Sequence, residues 1–452
     1  FGSKWGLNFD VLRTIYLAGI EPLLTYASPV WSYILNQSTK RSQLLSLQRI
    51  FALSIIRGFK TISIEASLVL ANILPIDLRI EYLTNIYRIK HSLPVSWLNG
   101  YCFQLNIPVS QSFHPSVLFD LLGDDCSSLH QYHIFTDGSK LNGRVGCSVV
   151  VMVPDTDCIV HVSKFRLSDY CTVFQAELFG IYQAVLWLSE KDSSAKIFVD
   201  SWSSIQACIS CRSGDSLVHR IRQSVSRHFC LNWVRAHSGI YGNEMADRFA
   251  KEATMLPFFD YDLCPVSFGK SIVKNIARYN WNQNWLTSEN GRRTKVFFPS
   301  IYYRLSLDIK MDYISCQFLS GHGKFGEYLS RFRIRSDSYC WCGAAVQDPV
   351  HLVCRCPRFL RERSLLEIRS GMNLTEDNLP FLFQLFPEQL LLFFFNIFND
   401  NNDQLVIWVK KKAEQNKTET KIKKTNIQTN NHLPHVYIDY EYEHFHHDAL
   451  LK

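Results

Sequence analysis

Residues 132–255 alternate short β-branched runs with helical segments, and this order constrains the fold more than any other feature of the chain. The five expected strands, which alternate or stay apolar and are joined by Gly or Asp turns, are 132–137, 145–153, 158–166, 196–200 and 229–235. The longer expected helices are 173–190 and 241–254, with shorter helices before the fifth strand. This order predicts an α/β fold, a mixed sheet with helices packed on it.

Acidic residues stand at the ends of two expected strands and on both longer helices. Asp137 closes the first strand, where a turn is expected at Gly138, and Asp200 closes the fourth. Glu177 lies early in the 173–190 helix, which Gly180 is expected to let sit close on the sheet. Taken singly, each acid is more often a helix cap, a turn residue or a solvated side chain.

A fourth acid, Asp247, lies on the last helix, one turn after Asn243 and on the same side. Four clustered carboxylates would repel one another, and their pKa values would rise unless a cation were bound. Hard oxygen ligands suit Mg²⁺ or Mn²⁺. Two such ions about 4 Å apart activate a water and stabilise the leaving oxygen in phosphodiester cleavage.

Four sequence blocks resemble the signature blocks of type 1 ribonuclease H, in the variant carried by non-LTR retrotransposon polyproteins: IFTDGS, FQAELFGIYQA, IFVDSWSSIQA and WVRAHSGIYGNEMADRFAKEA. The resemblance covers residues 128–256. It implies a ribonuclease H-like five-stranded mixed sheet flanked by helices, and endonucleolytic hydrolysis of the RNA strand of RNA–DNA hybrids with two Mg²⁺ or Mn²⁺ ions. The metal-binding catalytic carboxylates that it implies are Asp137, Glu177, Asp200 and Asp247.

The resemblance also implies roles for residues without a carboxylate. His237 would help proton transfer and product release, and the substrate contacts would be Gly138, Ser139, Arg235 and Asn243. Two enzymes of the same fold superfamily fit less well, because a proofreading exonuclease needs a glutamate where Ser139 stands and a transposase ends on a glutamate where Asp247 stands. A catalytically decayed remnant that only binds nucleic acid remains the alternative.

The region before these blocks, residues 1–127, is expected to be helical over 8–95 and loop-rich over 100–128. It is similar to the region that follows the palm of retrotransposon reverse transcriptases, and looks like a thumb remnant. No Y/F-A-D-D tetrapeptide is present, so this piece alone is not expected to polymerise. The reverse transcriptase portion of the same polyprotein is the expected partner in an intact element.

The region after the blocks, residues 257–372, is basic and holds a Cys/His cluster. It alone carries a net charge of +7, as large as that of the whole chain, which favours a polyanionic partner. The run CWCGAAVQDPVHLVCRCP resembles the Cys/His segment that follows ribonuclease H in these retrotransposon proteins, and a turn at Gly343 is expected to present its first two cysteines. The implied Zn²⁺ ligands are Cys340, Cys342, His351 and Cys356, with Cys354 to spare. Buried thiols in a helical module are the alternative.

Composition limits the remaining possibilities. Fourteen cysteines without a secretory leader indicate a reducing, intracellular compartment. The most apolar tract, 390–398, is far shorter than the roughly 20 residues that span a bilayer, so no membrane is expected as a partner and the tract is expected to be buried. Residues 373–452 otherwise have the low complexity of a disordered tail.

Overall fold

The computed structural model describes residues 7–91, 93, 104–106, 130–210, 213–224 and 229–429. They belong to two units. One unit consists of residues 85–275, and the other joins residues 1–84 to residues 276–452. The expected loop-rich segment 100–128 lies outside the described residues except for the short strand Gln104–Asn106.

Five strands in the unit 85–275 form a mixed sheet: β1 (Tyr132–Leu141), β2 (Arg144–Met152), β3 (Ile159–Leu167), β4 (Ala195–Val199) and β5 (Phe229–Trp233). Their order across the sheet is β3-β2-β1-β4-β5. The pairs β1–β2 and β2–β3 are antiparallel, whereas β1–β4 and β4–β5 are parallel. The fold is therefore α/β with a five-stranded mixed sheet, as the sequence predicted.

The expected turn at Gly138 is wrong. β1 continues through Asp137 and Gly138, which pair with residues of β2, and the chain reverses at Asn142 and Gly143, whose φ angles are 51° and 82°. An Asn-Gly pair suits the tight turn of a hairpin because both positions require positive φ. The parallel pairing between β1 and β4 ends one residue earlier, at Thr136, so Asp137 lies just beyond it.

Four helices cover the sheet: α1 (Val173–Lys191), α2 (Trp202–Ile209), α3 (Ser216–Gln223) and α4 (Tyr241–Ala253). α1 begins at a capping box in which Thr172 and Gln175 exchange side chain to backbone hydrogen bonds of 3.2 Å. The larger core packs α1, α2 and α3 on one face of the sheet, and a smaller core packs α4 on the other. A short parallel pair, Gln104–Asn106 with Leu263–Pro265, lies outside the main sheet.

The other unit is helical and its core combines distant parts of the chain. Its helices before the sheet are Phe9–Ile15, Glu21–Leu24, Ser28–Trp31, Ser38–Ile56, Ile64–Ala71 and the first part of Ile76–Lys90. Those after the sheet are the last part of Val266–Thr287, then Arg292–Phe297, Ile301–Ser306, Tyr313–Ser320, Gly326–Arg331, Leu360–Ser370, Leu379–Leu385 and Pro387–Thr429. One apolar cluster includes Ile56, Trp285 and Phe394. Arg304, fully buried, donates to the carbonyl oxygens of Val69 (3.1 Å) and Leu70 (3.2 Å).

The segment expected to be a disordered tail from residue 373 differs in the structure. Leu379, Phe383 and Phe394 are fully buried in the helical core, and the apolar tract 390–398 contributes its inward face to it. The burial of the tract 390–398 agrees with the expectation for that tract, whereas the helices around it were not expected, because only about four residues per two turns need be apolar to bury one side of a helix. Within the described ranges, no single helix is long and apolar enough to span a bilayer, although Leu379–Leu385 and Pro387–Lys410 reach that length and composition as a pair bent by 115°.

Candidate active site

Three carboxylates meet at the point where β1 and β4 separate. Asp137 lies on β1, Asp200 directly follows β4, and Glu177 projects from the first turns of α1. One oxygen from each carboxylate lies within 4.8 Å of the other two. Asp137 lies within β1, Asp200 just after β4 and Glu177 on α1, and the packing of α1 on the sheet brings the three acids together.

The close approach of α1 to β1 depends on Gly138 rather than on Gly180. A Cβ atom at Gly138 would lie 2.6 Å from the backbone nitrogen of Glu177 and 2.9 Å from Ala176 Cβ. At Gly180 the nearest atom, Thr136 Cβ, would lie at 3.4 Å, an ordinary contact. The absence of a side chain at Gly138 therefore lets Glu177 reach Asp137.

Replacing Gly138 with Ala is expected to lower the free energy of unfolding by about 1–3 kcal/mol, because the added methyl group overlaps the α1 backbone. The matched variant Gly180→Ala is expected to be neutral or stabilising by up to about 1 kcal/mol, since Ala is preferred to Gly within a helix. Urea titration followed by hydrogen exchange of peptides from α1 measures both. Equal effects of the two variants would contradict this assignment.

The clustered carboxylates hold protons more strongly than ordinary acids. Burial, followed by the charges of Asp200 and Asp247, raises the pKa of Asp137 from 3.8 to about 7. Burial and the charges of Asp137 and Asp200 raise the pKa of Glu177 well above its usual value. The pKa of Asp200 is also raised by burial, while a hydrogen bond from the Asn243 side chain lowers it in part. The repulsion within the cluster is therefore only partly compensated by the protein.

A divalent cation fits this cluster. Glu177 is almost fully buried, and its Oε2 has no hydrogen-bond partner among the described residues. Buried oxygen atoms without a partner are rare because each loses its hydration without compensation. Carboxylate oxygens are the ligands that Mg²⁺ and Mn²⁺ prefer. A cation would satisfy the unpaired oxygen and offset the mutual repulsion of the three acids.

The fourth acid, Asp247, approaches the cluster from α4 on the other face of the sheet. Its Oδ2 accepts a hydrogen bond of 2.6 Å from Lys251 Nζ, and its charge raises the pKa values of Asp137 and Asp200. It lies outside the three-carboxylate group. Gly242 permits the approach of α4, because a Cβ atom there would lie 2.3 Å from the Phe135 ring.

Two of the remaining residues expected at the site, Asn243 and His237, lie near Asp200. Asn243 is buried beside it, and its Oδ1 has no hydrogen-bond partner in the described part of the chain. His237 is exposed in the loop before α4 and adopts a positive φ of 52°, and its electrostatic interaction with Asp200 lowers the pKa of that carboxyl group. Arg235 is exposed in the same loop, and Ser139 is partly exposed on β1 two residues after Asp137.

The structure adds three residues that sequence reasoning did not single out. Trp202 and Trp233 are each 51% exposed, and their rings meet edge to face with centroids 6.5 Å apart. Trp233 Nε1 donates a 3.0 Å hydrogen bond to the carbonyl oxygen of Asp200, which places this apolar surface beside the cluster. The third residue is Lys251. It follows Asp247 by four residues on one helix, a spacing from which the ion pair between the two could have been predicted.

A second group of side chains that could bind a metal ion lies in the helical unit. One ligand atom from each of Cys340, Cys342, His351 and Cys356 lies within 4.8 Å of the others. Cys354 is outside the group, and burial raises the pKa of its thiol to about 12.

Local structure explains how the four side chains converge. Cys340 and Cys342 flank a turn in which the Gly343 N–H donates to the Cys340 carbonyl oxygen at 2.9 Å, and Gly343 has a φ of 79°. This is the turn that the sequence predicted. His351 begins the π-helical turn His351–Arg355, and the Cys356 N–H at its end bonds the His351 carbonyl oxygen at 2.7 Å.

Distances within this Cys/His group fit a tetrahedral ion. The Sγ atoms of Cys340 and Cys356 are 3.8 Å apart, and Cys342 Sγ lies 3.3 Å from His351 Nε2. Zinc–sulfur bonds of about 2.3 Å give an edge of about 3.8 Å in a tetrahedron. The hydrogen bond between the two thiols raises the pKa of Cys340 and lowers that of Cys356, as expected for one thiol donating to a thiolate. The group is therefore able to hold Zn²⁺.

Comparison with known proteins shows which proteins the chain is similar to. Residues 130–255 match the family model described as RNase H. The chain is 26% identical over 216 residues to the retrovirus-related Pol polyprotein from type-1 retrotransposable element R1 of Popillia japonica, a match that covers 47% of this chain and 86% of that relative. It is 29% identical over 111 residues to the R1 4 Pol polyprotein of Nasonia vitripennis.

Each of these matches covers less than half of this chain, and the share of the other protein that is covered varies. The Nasonia match spans 24% of this chain and 28% of that relative. The solution structure of the PFV RNase H domain is 14% identical, with a TM-score of 0.25, and the match covers 28% of this chain and 96% of that one. The chain thus spans little more than a quarter of the Nasonia polyprotein's length.

Proposed function

We propose that the chain is an endoribonuclease that hydrolyses the RNA strand of RNA–DNA hybrids. The premise is that residues 130–255 are an RNase H domain distantly related to the Pol polyproteins of type-1 R1 retrotransposable elements. The observation that carries the proposal is the meeting of Asp137, Glu177 and Asp200 within 4.8 Å, with one buried oxygen left unpaired. Such a cluster is costly for stability unless a cation is bound.

In this proposal the residues around the cluster hold the metal ions and orient the substrate. Asp137, Glu177, Asp200 and Asp247 would be the ligands of two Mg²⁺ or Mn²⁺ ions. When bound, these ions would supply activation of the attacking water and stabilisation of the departing 3′ oxygen. Asn243 lies beside Asp200 and lowers the pKa of its carboxyl group, and Lys251 holds Asp247 in position.

The substrate side of the site would be formed by residues around the carboxylates. Gly138 and Ser139 on β1, with Asn243 and Arg235 near α4, are proposed to contact the RNA strand. An RNA–DNA hybrid displays its 2′-hydroxyl groups in a wide, shallow minor groove, and these groups distinguish RNA from DNA. Trp202 and Trp233 offer an apolar surface to the sugars of the same duplex.

His237 is proposed to act in proton transfer and product release. His237→Asn is expected to slow hydrolysis by about 10²-fold, the lower end of what positioned acid–base groups contribute. The melting temperature is expected to stay within a degree or so, because His237 is exposed and Asn tolerates its positive φ. Single-turnover cleavage and a thermal melt of the full chain measure the two effects. Loss of the fold in this variant would show a structural role instead.

The parts outside the RNase H domain are proposed to be further pieces of a polyprotein. The helices within 1–127 would be a remnant of the region after a reverse transcriptase palm, and the reverse transcriptase portion would be the partner in an intact element. Residues 257–372 would form a basic module with a zinc site, whose ligands are Cys340, Cys342, His351 and Cys356. The ligand distances given above support the zinc assignment.

Cleavage of a labelled hybrid tests the function. The full chain with Mg²⁺ is expected to cut the RNA strand of an RNA–DNA duplex and to leave the same RNA intact when it is single-stranded or paired to RNA. Asp200→Asn is expected to abolish this cleavage. If the unmodified chain cuts no hybrid with Mg²⁺ or Mn²⁺, the chain is a decayed remnant. Cleavage that survives in Asp200→Asn comes from another source.

A further inference from the structure

A basic and aromatic surface follows the helix Gly326–Arg331 in the helical unit. The helix ends at Arg331, and the next three residues, Phe332 to Ile334, are all exposed, with Phe332 at 43%. Arg333 has a φ of 55°, and the N–H of Ile334 donates a 2.9 Å hydrogen bond to the carbonyl oxygen of Leu329, so the chain turns at the end of this helix. We define the basic aromatic patch by Lys60, His322, Tyr328, Arg331, Phe332 and Arg333.

The aromatic part of the patch is held in place by packed rings. Tyr328 lies between Phe59, at 5.6 Å between centroids, and Phe332, at 4.9 Å. The Arg331 guanidinium lies 5.0 Å from the centroid of the Phe332 ring. Phe332 is thus contacted by two neighbouring side chains and keeps 43% of its surface exposed to solvent.

Hydrogen bonds join the patch to the loop before the helix Ile64–Ala71. Thr61 Oγ1 lies 2.8 Å from the Tyr328 hydroxyl and 2.8 Å from His322 Nδ1. Lys60, the preceding residue, is exposed, and its carbonyl oxygen accepts a hydrogen bond from Arg49. This loop adds a third cation to the two arginines.

The cations of the patch lack acidic partners. In the described part of the chain, no carboxylate lies within 4.0 Å of the cationic groups of Arg331, Arg333 or Lys60. The acidic residues nearest in sequence have other partners: Glu327 pairs with Arg293, and Asp337 pairs with Arg335. Burial together with the charges of Arg331 and Arg49 lowers the pKa of His322 to about 4. The patch therefore has a positive potential that its own surroundings leave uncompensated.

We propose that the basic aromatic patch binds single-stranded nucleic acid, with a base stacked on Phe332 and phosphates against Arg331, Arg333 and Lys60. Proteins that bind single-stranded nucleic acid combine exposed aromatic rings with basic side chains. The rings stack on the bases, each of which has a flat face, and the basic side chains bind the phosphates through their charge. A duplex keeps its bases stacked on each other and offers none to a projecting ring. This site lies in the helical unit and does not depend on the hydrolytic activity proposed above.

Binding of a labelled oligodeoxythymidine strand of about 20 nucleotides, longer than the usual footprint of such surfaces, tests the proposal. Fluorescence anisotropy with the full chain is measured over a series of salt concentrations. Phe332→Ala is expected to weaken binding by about 5- to 150-fold, the range for one stacked base, without changing the salt dependence. Replacing Arg331 and Arg333 with Gln is expected to make the slope of log affinity against log salt shallower by about 1.4.

Matched variants outside the patch serve as controls. Phe381→Ala removes a ring that is 58% exposed, and Gln at Arg361 and Arg369 removes two exposed charges; neither is expected to change binding. The proposal is overturned if the patch variants bind within twofold of the unmodified chain, or if the controls weaken binding equally. The proposal is also overturned if the patch variants weaken the binding of a DNA duplex of the same length as much as they weaken the binding of the single strand. Hydrolysis of hybrids is a separate readout, so failure of either proposal leaves the other testable.

Discussion

Asp137→Asn is expected to abolish hydrolysis of the hybrid and at the same time to make the metal-free protein more stable. Loss of one cluster ligand is expected to lower the rate by about 10⁴-fold or more, as removal of a central catalytic group does in other hydrolases. The gain in stability has an electrostatic cause. The Asn side chain is neutral, so the variant lacks the repulsion between a charged Asp137 and the neighbouring carboxylates, Glu177, Asp200 and Asp247.

The size and pH dependence of this gain follow from the raised pKa. The pKa of Asp137 is 3.8 in its ordinary state and about 7 in the folded protein. The folded chain therefore binds more protons than the unfolded chain between these values, so its stability falls as the pH rises through this window and stays reduced above it. At about 1.4 kcal/mol per pH unit, the upper limit of the penalty at pH 8 is about 4 kcal/mol.

Denaturation of the full chain at pH 8 without divalent ions measures the gain, with hydrogen exchange of peptides from β1 and β4 to localise it. Asp157→Asn, which removes an exposed acid from the same domain, is the control and is expected to change neither activity nor stability. At pH 4 the difference between Asp137→Asn and the unmodified chain is expected to shrink toward zero. An Asp137→Asn protein that is inactive and also less stable at pH 8 would indicate that the carboxylate supports the fold.

Removal of zinc is expected to unfold the part of the helical unit around residues 340–356. Structural zinc sites contribute on the order of 10 kcal/mol at neutral pH, because deprotonated ligands are brought together only in the folded state. Without the ion, Cys340, Cys342, His351 and Cys356 hold one another only by weak sulfur hydrogen bonds. Protein purified without chelator is expected to contain about one zinc per chain, and a chelator is expected to make this segment sensitive to protease.

Cys354 provides a control within the same segment. Cys354→Ser changes a thiol two residues from Cys356 but outside the ligand group, so zinc content is expected to stay near one per chain. Cys340→Ser and His351→Ala are each expected to lower it strongly. Zinc-free protein that resists protease in excess chelator would mean that the thiols are core residues, because Cys340 and Cys356 are also buried in the apolar cluster.

The amino-acid sequence by itself determined the order of strands and helices in the sheet domain. β2 to β5, α1 and α4 have the expected bounds to within about two residues, because hydrophobic periodicity and β-branched content act over a few neighbouring positions. The same local character made the Cys/His group predictable. Two cysteines around a Gly turn and two ligands at the ends of one helical turn are close before any tertiary packing forms.

Only the tertiary structure decided which residues make the acid cluster compact. Asp137 lies inside a strand because β2 pairs with it, and an Asp-Gly pair carries no sign of that partner. The need for Gly at 138 rather than 180 depends on where α1 crosses β1, and the roles of Trp202 and Trp233 depend on the sheet order that makes β4 and β5 neighbours. These relations join residues tens of positions apart, beyond the reach of periodicity.

The division of the chain also depended on tertiary structure. Composition predicted separate pieces before and after the sheet domain and a disordered tail from residue 373, whereas in the described residues one helical unit joins positions before 85 to positions after 275. Ile56, Trp285 and Phe394 belong to one core although more than a hundred residues separate each from the next. When each short apolar helix is considered alone, its sequence predicts an independent or disordered segment. The hydrophobic effect depends on total area removed from water, so such helices become stable only when packing combines their faces.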